Sequence, residues 1–301
     1  MFDRSNHPSG SVIERDEVKL TAGETPEARF KTWFDQVTAA SRFCDKHRRT
    51  RLVLNEKEST FWPVYSHYGN ALEPKPGEFN FRVVYCCPAC CCAYALCPLE
   101  FHETSFDTFD TSTPERAGTL ARSREFAVQV NRHGCGFALF VGPTGPGKTR
   151  LACNIIGELN NREALYMRQG TLTAALRSTY GERPVKYDED NRRVEPEHPL
   201  TITQGVRFLV LDEIGCTALA NDERLLLDEL LKHRYEQRKP TILISNLPLT
   251  GKPDQPGLKE FLGDAPTDRI RHAAGNGKFI LQFTGESYRR TTGENYLEGL
   301  K

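Results

Sequence analysis

The sequence predicts an α/β domain built on a parallel sheet and preceded by a small helical, cysteine-bearing module. Three observations lead there. Short apolar β-type runs alternate with helical segments from residue 137 onward, a glycine-rich turn joins the first such run to a helix, and seven of the ten cysteines fall between Cys44 and Cys97. At 301 residues the chain has room for one large domain and one small one, at roughly 100–200 residues each. Forty basic residues balance forty acidic ones, which excludes a protein that coats nucleic acid by bulk positive charge and makes any DNA contact local. The apolar runs fall far short of the ~18–20 residues a spanning helix needs, and the first residues, MFDRSNHPSGSVIERDE, lack the apolar stretch of a secretory signal. A soluble, cytoplasmic protein without membrane contact is expected.

Residues 1–25 are polar and aperiodic and read as a flexible leader. Over residues 26–43 the apolar positions Phe30, Trp33, Phe34 and Val37 recur at helical spacing, with Thr25 as N-cap and Pro26 at the first helical position. The aromatic stripe of this amphipathic helix either docks a partner or packs on the neighbouring module. With the cysteine cluster it makes an N-terminal domain over residues 26–100, in which 81–85 reads as a strand. Residues 101–125 are rich in Ser, Thr, Asp and Glu and read as a linker running into a helix. The large domain follows over residues 126–301. Its strands are expected at Phe137–Val141, 164–167, 207–212, Thr241–Ser245 and 278–283, and its helices include 149–159, 171–180 and 223–237. Five buried strands with crossover helices mean a parallel sheet. The charged, proline-bearing stretch 181–206 interrupts that rhythm as a surface excursion.

The first strand of this domain runs directly into Gly142-Pro143-Thr144-Gly145-Pro146-Gly147-Lys148-Thr149, which matches G-x-x-x-x-G-K-[ST] in its strand, loop and helix context. Gly142, Gly145 and Gly147 let the backbone turn tightly, so that N–H groups and a helix N-terminus face phosphate oxygens. Lys148 adds a point charge, and the Thr149 hydroxyl is placed to ligate Mg2+. Pro146 lacks an N–H, so one donor is missing, worth about 1.5–3 kcal/mol for a bond to a charged group. Further on, the apolar run 207–211 delivers Asp212 and Glu213 to the C-terminal edge of the sheet, where open α/β sheets bind ligands. Asp212 is expected in the Mg2+ shell, and Glu213 as the group that polarises water for attack on the γ-phosphate of ATP. Asn246 follows the next strand, as either a sensor touching the same water or phosphate or a plain turn residue.

GPTGPGKT, FLVLDEIG, ILISNLP and the tail LGDAPTDRIRHAAGNGKFILQFTGESYRR together resemble the DnaC/IstB family of AAA+ ATPases over about residues 105–301. The Walker A and Walker B parts are shared with many P-loop proteins, whereas DEIG and DRIR…SYR narrow the resemblance. It implies a lidless AAA+ domain, in keeping with the few residues that follow Asn246. It further implies that Asn246 is the sensor and that Arg289 lies near the phosphates. Arg269 would be an arginine finger acting on a neighbouring subunit's ATP in a homo-oligomer, and such fingers contribute ~10³–10⁵ in rate. An Arg269 ion pair with Asp268 or Asp264 on the helix surface is the plain alternative. The helix over 171–180, with Leu172, Leu176 and Tyr180 on one face beside Arg177, falls where the family contacts single-stranded DNA; a core helix accounts for the same pattern. The implied function is ATP-dependent loading or remodelling of the replicative DNA helicase, with that helicase and single-stranded DNA as partners. An IstB-like ATPase assisting transposition, and an adaptor that binds ATP without hydrolysing it, are the alternatives.

Clustered cysteines in a reducing compartment point to metal. Cys44-x2-His47 and Cys87-x2-Cys90 have the spacing at which a backbone knuckle turns two ligands toward one tetrahedral Zn2+. The pattern also resembles the amino-terminal C-x2-H…C-x2-C element of DnaC-like replication proteins. Cys87, Cys90, Cys97 and His102 form a second set, resembling DnaI-type loaders, and Cys86, Cys91 and Cys92 widen the choice. Arg48, Arg49 and Arg51 beside His47 offer either phosphate contacts or a solvated face. Cys135, Cys153 and Cys216 stand alone beside apolar segments and are expected as small core residues.

Overall fold

The structure, a computed structural model, describes residues 11–38, 53–54, 60–68, 71–86, 88–159, 163–179, 186–187, 193–194, 198–252, 256–285 and 287. The chain divides into two compact units, with the division after Cys91.

The first unit holds β1 (Ser11–Lys19), α1 (Pro26–Thr38), β2 (Val53–Leu54), β3 (Thr60–Tyr68) and β4 (Ala71–Cys86). β4 organises an antiparallel sheet: β1 pairs along one edge, from Ser11 opposite Cys86 to Lys19 opposite Glu78, and β2 and β3 share the other. Residues 11–19 are therefore a strand rather than a flexible leader, and the module is mainly β rather than mainly helical. Proline hides this in the sequence. Pro63, Pro74 and Pro76 read as strand breakers, and the pairing of β3 with β4 absorbs the first of them by a register shift between Pro63 and Tyr65. Thr25 Oγ1 caps α1 by accepting from the Ala28 N–H at 3.3 Å. The aromatic stripe of α1 turns to the sheet: Phe30 meets the fully buried Phe81 edge-on at 5.3 Å between ring centroids, and Trp33 meets it at 5.5 Å. The stripe packs within its own unit. The stretch 39–43 of the expected helix lies outside the described residues.

After β4 come α2 (Pro88–Tyr94), two 3₁₀ turns at Leu99–Phe101 and Phe106–Thr108, and α3 (Pro114–His133). The second unit continues with β5 (Phe137–Val141), α4 (Lys148–Glu158), β6 (Ala164–Arg168), α5 (Gln169–Arg177), β7 (Lys186–Tyr187), β8 (Arg193–Val194) and α6 (Pro199–Gly205). It closes with β9 (Phe208–Ile214), α7 (Asn221–Glu236), β10 (Thr241–Ser245), α8 (Leu258–Leu262), α9 (Asp264–Ala273) and β11 (Ile280–Gln282). Five of these strands form a parallel sheet in the order β11-β5-β10-β9-β6. β5, β10, β9 and β6 are buried on both faces, which is why they read as continuous apolar runs, whereas the edge strand β11 ends in the exposed Gln282. The pleat sorts them: Ala138, Phe140, Val210, Ile242 and Ile244 face one core with Phe126, Ile155 and Phe279, while Leu139, Leu211 and Leu243 face another with Leu172, Leu230 and Ile270.

Two expectations about the connections change. The segment expected as a linker belongs to the core: Phe106 and Phe109 are buried, and α3 is already under way at Pro114, capped by Thr113 and ended by Gly134 in the left-handed region. Thr119 and Ser123 are buried with the phenylalanines, and the charged residues that stay toward the surface are what give the stretch a linker's composition. Within 181–206, α6 is built into the domain. The buried Arg234 donates to the carbonyls of Thr203, Val206 and Pro240 and to Thr241 Oγ1, tying α6 to the N-terminal ends of β9 and β10. Burial lowers the Arg234 pKa to about 9. Among the described residues no helix is long and apolar enough to cross a membrane. The stretch 288–301, where a lid would follow the last strand, lies outside the described residues.

Candidate nucleotide site

β5 ends at Val141, and the loop 142–147 turns straight into α4. Two of its glycines are demanded by close approach. Gly142 (φ 138°) lies against Phe283, where a Cβ would come within 2.1 Å of the Phe283 carbonyl oxygen, and at Gly145 (φ 102°) a Cβ would come within 2.0 Å of Ser287 Oγ. The chain after β11 therefore passes directly over the loop, and Ser287 touches it. The ammonium of Lys148 donates to Gly142 O at 2.7 Å and Pro143 O at 2.5 Å. Burial lowers its pKa to about 8, against the opposing pull of Asp212 and Cys216.

Asp212 stands on β9, 4% exposed, with both oxygens engaged. Its Oδ2 accepts from Thr149 Oγ1 and from the Tyr166 hydroxyl, each at 2.8 Å, and its Oδ1 accepts from the Glu213 N–H at 2.6 Å. Thr149 and Asp212 thus present two hard oxygen donors at the mouth of the loop. That donor set fits Mg2+, which prefers carboxylate, hydroxyl and phosphate oxygen and retains several waters. Glu213 sits in the left-handed region (φ 59°), unusual for a residue with a side chain. Its carboxylate is half exposed, 3.9 Å from Arg168 Nε.

The loop after β9 is clamped from α5: Gln169 Oε1 accepts from Gly215 N–H at 2.8 Å, and its Nε2 donates to Thr217 O at 3.1 Å. Asn246, at the end of β10, is exposed and donates to Cys216 Sγ at 3.5 Å. Cys216 is itself exposed, contrary to the expectation of a core thiol, because it follows the strand end instead of lying within it; Cys135 is half-buried, and Cys153 is buried as expected. Thr144, Gly145, Gly147, Lys148, Thr149, Asp212, Glu213 and Asn246 line one cleft of about 310 Å³ together with Pro98, Glu100, Phe101, Arg150, Tyr166 and Arg168. This is within the range of small-molecule sites. The second group escaped the sequence reading. Tyr166 and Arg168 sit in a strand that reads as apolar, and only its register beside β9, with Arg168 opposite Asp212, brings them to the site.

Other expected residues fall elsewhere. Arg269, on α9, pairs across to α7, with Nη1 2.9 Å from Asp228 Oδ1; neither Asp264 nor Asp268 is the partner in that bond. Leu172 and Leu176 of α5 are core residues, whereas Arg177 remains largely exposed while bonded to Glu223 of α7 at 2.5 Å. Tyr180 and Arg289 lie outside the described residues. So do Cys44, His47 and Cys87, and the Cys90 side chain. Cys97, a member of the second ligand set, is buried in the core of the second unit with Cys92 and Cys153, and contact with the Cys153 thiol leads the effects that push its own thiol pKa far up. His102 Nε2 contacts the Cys97 carbonyl at 2.9 Å.

A parallel sheet with this loop, Lys148, Thr149 and a strand-end acidic pair defines a P-loop nucleotide-binding domain. The profile of IstB-like ATP binding proteins matches residues 132–295, and the chain belongs to that family. Among curated proteins it is 29% identical over 189 residues to the replicative helicase loader DnaC of Buchnera aphidicola subsp. Baizongia pistaciae, covering 62% of this chain and 69% of that one. It is 27% identical over 158 residues to the insertion sequence IS232 putative ATP-binding protein of Bacillus thuringiensis subsp. berliner, covering 50% and 54%. A crystal structure of the DnaC helicase loader aligns with a TM-score of 0.49 at 21% identity, over 62% of this chain and all of that one.

Proposed function

We propose that this protein is a cytoplasmic, ATP-hydrolysing loader or remodeller of a replicative DNA helicase, acting as a homo-oligomer on single-stranded DNA. The observation that carries the reading is the convergence of Lys148, Thr149, Asp212, Glu213 and Asn246 on one cleft in a chain whose relatives include the replicative helicase loader DnaC. Lys148 and the loop N–H groups bind the phosphates. Thr149 and Asp212 hold Mg2+, which neutralises charge on the β- and γ-phosphates. Glu213 polarises a water that attacks the γ-phosphorus; the bond to the β-phosphate oxygen breaks, leaving ADP and inorganic phosphate. Asn246 orients that water, and Arg269 of a neighbouring copy stabilises the transferred charge. Cys44, His47, Cys87 and Cys90 hold a structural Zn2+, a reading supported by their spacing.

The test is capture of the replicative helicase by the full chain with ATP and Mg2+, followed by single-stranded DNA stimulation of hydrolysis. Helicase capture that disappears in Lys148→Ala supports the reading. Capture of a transposase, with hydrolysis stimulated by duplex DNA, would favour the second reading, which the IS232 relative supports: an ATPase assisting transposition.

A further inference from the structure

We propose that Tyr166 is a positioning residue for magnesium, fixing the Asp212 carboxylate that holds the ion. The inference rests on the ATP–Mg2+ reading of the cleft and adds a residue to it.

Two hydroxyls reach the same oxygen of Asp212, Thr149 Oγ1 and the Tyr166 phenol, each 2.8 Å from Oδ2. They cannot serve alike once the metal is bound. The Thr149 hydroxyl, the group that the loop offers to the ion, gives it a lone pair while its O–H still donates to Asp212, so it is no longer a partner of the carboxylate alone. Tyr166 remains. With the Glu213 N–H on Oδ1 at 2.6 Å it gives the carboxylate two fixed points, one on each oxygen, which sets the carboxylate plane and leaves the second lone pair of Oδ1 for the ion or its waters.

The phenol is well placed for this because it cannot wander. Tyr166 is 7% exposed and belongs to the core on the Phe140 face of the sheet, and β6 is in parallel register with β9, Tyr166 opposite Val210. Its own N–H donates to Ala95 O at 2.7 Å, so the strand is pinned on its outer side as well. A tyrosine has two side-chain torsions, and packing fixes both. A phenylalanine would fill the same space and supply nothing to Asp212, so the hydroxyl alone carries the proposed role.

The experiment uses the full chain and Tyr166→Phe. ATP affinity is measured by calorimetry in EDTA and across a Mg2+ series, with thermal unfolding as a control on the fold. The expected result is equal affinity in EDTA and a half-saturating Mg2+ concentration raised about three- to tenfold in the variant. Mn2+ bound with ATP should show a broadened electron paramagnetic resonance spectrum in the variant, a readout that packing alone would not move. Unchanged Mg2+ dependence, with wild-type binding intact, overturns the role of Tyr166 and leaves the nucleotide site standing. Equal loss of ATP affinity with and without Mg2+ overturns it also, since the hydroxyl would then serve the fold. Failure of the wild type to bind ATP at any Mg2+ concentration overturns the reading of the cleft, and this inference with it.

Discussion

Arg269 and Asp228 join α9 to α7 through an ion pair, Nη1 to Oδ1 at 2.9 Å. The pair is partly exposed, so it contributes only about 0–1 kcal/mol to stability, and breaking it is a small obstacle to moving the guanidinium elsewhere. A residue that reaches a neighbour's ATP must do so by leaving Asp228. Arg269→Ala and Lys148→Ala, each inactive alone, are therefore expected to recover part of the hydrolysis rate when mixed, one supplying the cleft and the other the guanidinium. Coupled-assay rates across mixing ratios check this; no recovery in mixtures that assemble would leave Arg269 as a helix-to-helix tie.

The depressed Lys148 pKa makes both stability and ATP affinity depend on pH. Burial holds it near 8 in the folded protein, below its ordinary 10.5. Keeping the ammonium charged thus costs stability at pH below 8, and this cost is relieved as pH rises through the interval from 8 to 10.5. Phosphate binding runs the other way, because it favours the charged form. ATP affinity should be flat below about pH 7 and weaken by up to about tenfold per unit above 8, with proton uptake on binding. Calorimetry in buffers of different ionisation enthalpy at pH 7 and 9 tests it, and equal affinity and no uptake at pH 9 would contradict it.

Glu213 is half exposed and stands 3.9 Å from Arg168. Glu213→Gln should therefore leave ATP affinity within about twofold while slowing hydrolysis by ~10²–10⁴, the range for loss of a positioned base. Single-turnover hydrolysis beside equilibrium binding separates the two effects.

Cys97, which belongs to the second zinc ligand set, is buried in the core beside Cys92 and Cys153. One zinc per chain is expected, released by Cys44→Ser. Cys97→Ser should keep the metal and instead lower stability by about 1–3 kcal/mol, since its hydroxyl would enter the core beside Cys92 and Cys153. Metal analysis and thermal unfolding of both variants decide; metal lost with Cys97→Ser and kept with Cys44→Ser would reverse the assignment.

The parallel sheet was legible because strands buried on both faces are plain apolar runs: β5 and β10 lie at the residues expected, and β6 and β9 differ from expectation only at their ends. The loop was legible because its chemistry is contiguous in sequence. What depends on register was not. Tyr166 looks like one more apolar residue until β6 lies beside β9, and Gln169 looks like a helix start until its amide closes on Gly215 and Thr217. For Arg269, a surface ion pair points in sequence to Asp264 and Asp268 on its own helix, whereas the partner, Asp228, comes from another helix. The antiparallel unit was masked by its prolines. The aromatic stripe of α1 fitted either of two roles, and Phe81, distant in sequence, chose between them.

The segment before α3 has a consequence for how this protein can be cut. The family profile begins at residue 132, yet Cys97, Phe106, Phe109, Phe126 and Val130 are all buried in the core behind the nucleotide loop, and Ala95 O closes the outer edge of β6. Losing even three buried phenylalanines at about 3–5 kcal/mol each would cost an amount comparable to the whole stability of an ordinary domain, about 5–15 kcal/mol. A truncation at residue 132 would keep every motif of the nucleotide site and forfeit the cooperative unit that holds them, exposing a sticky sheet face and an unpaired strand edge. The piece that carries the family's signature and the piece that can fold are different lengths of the same chain.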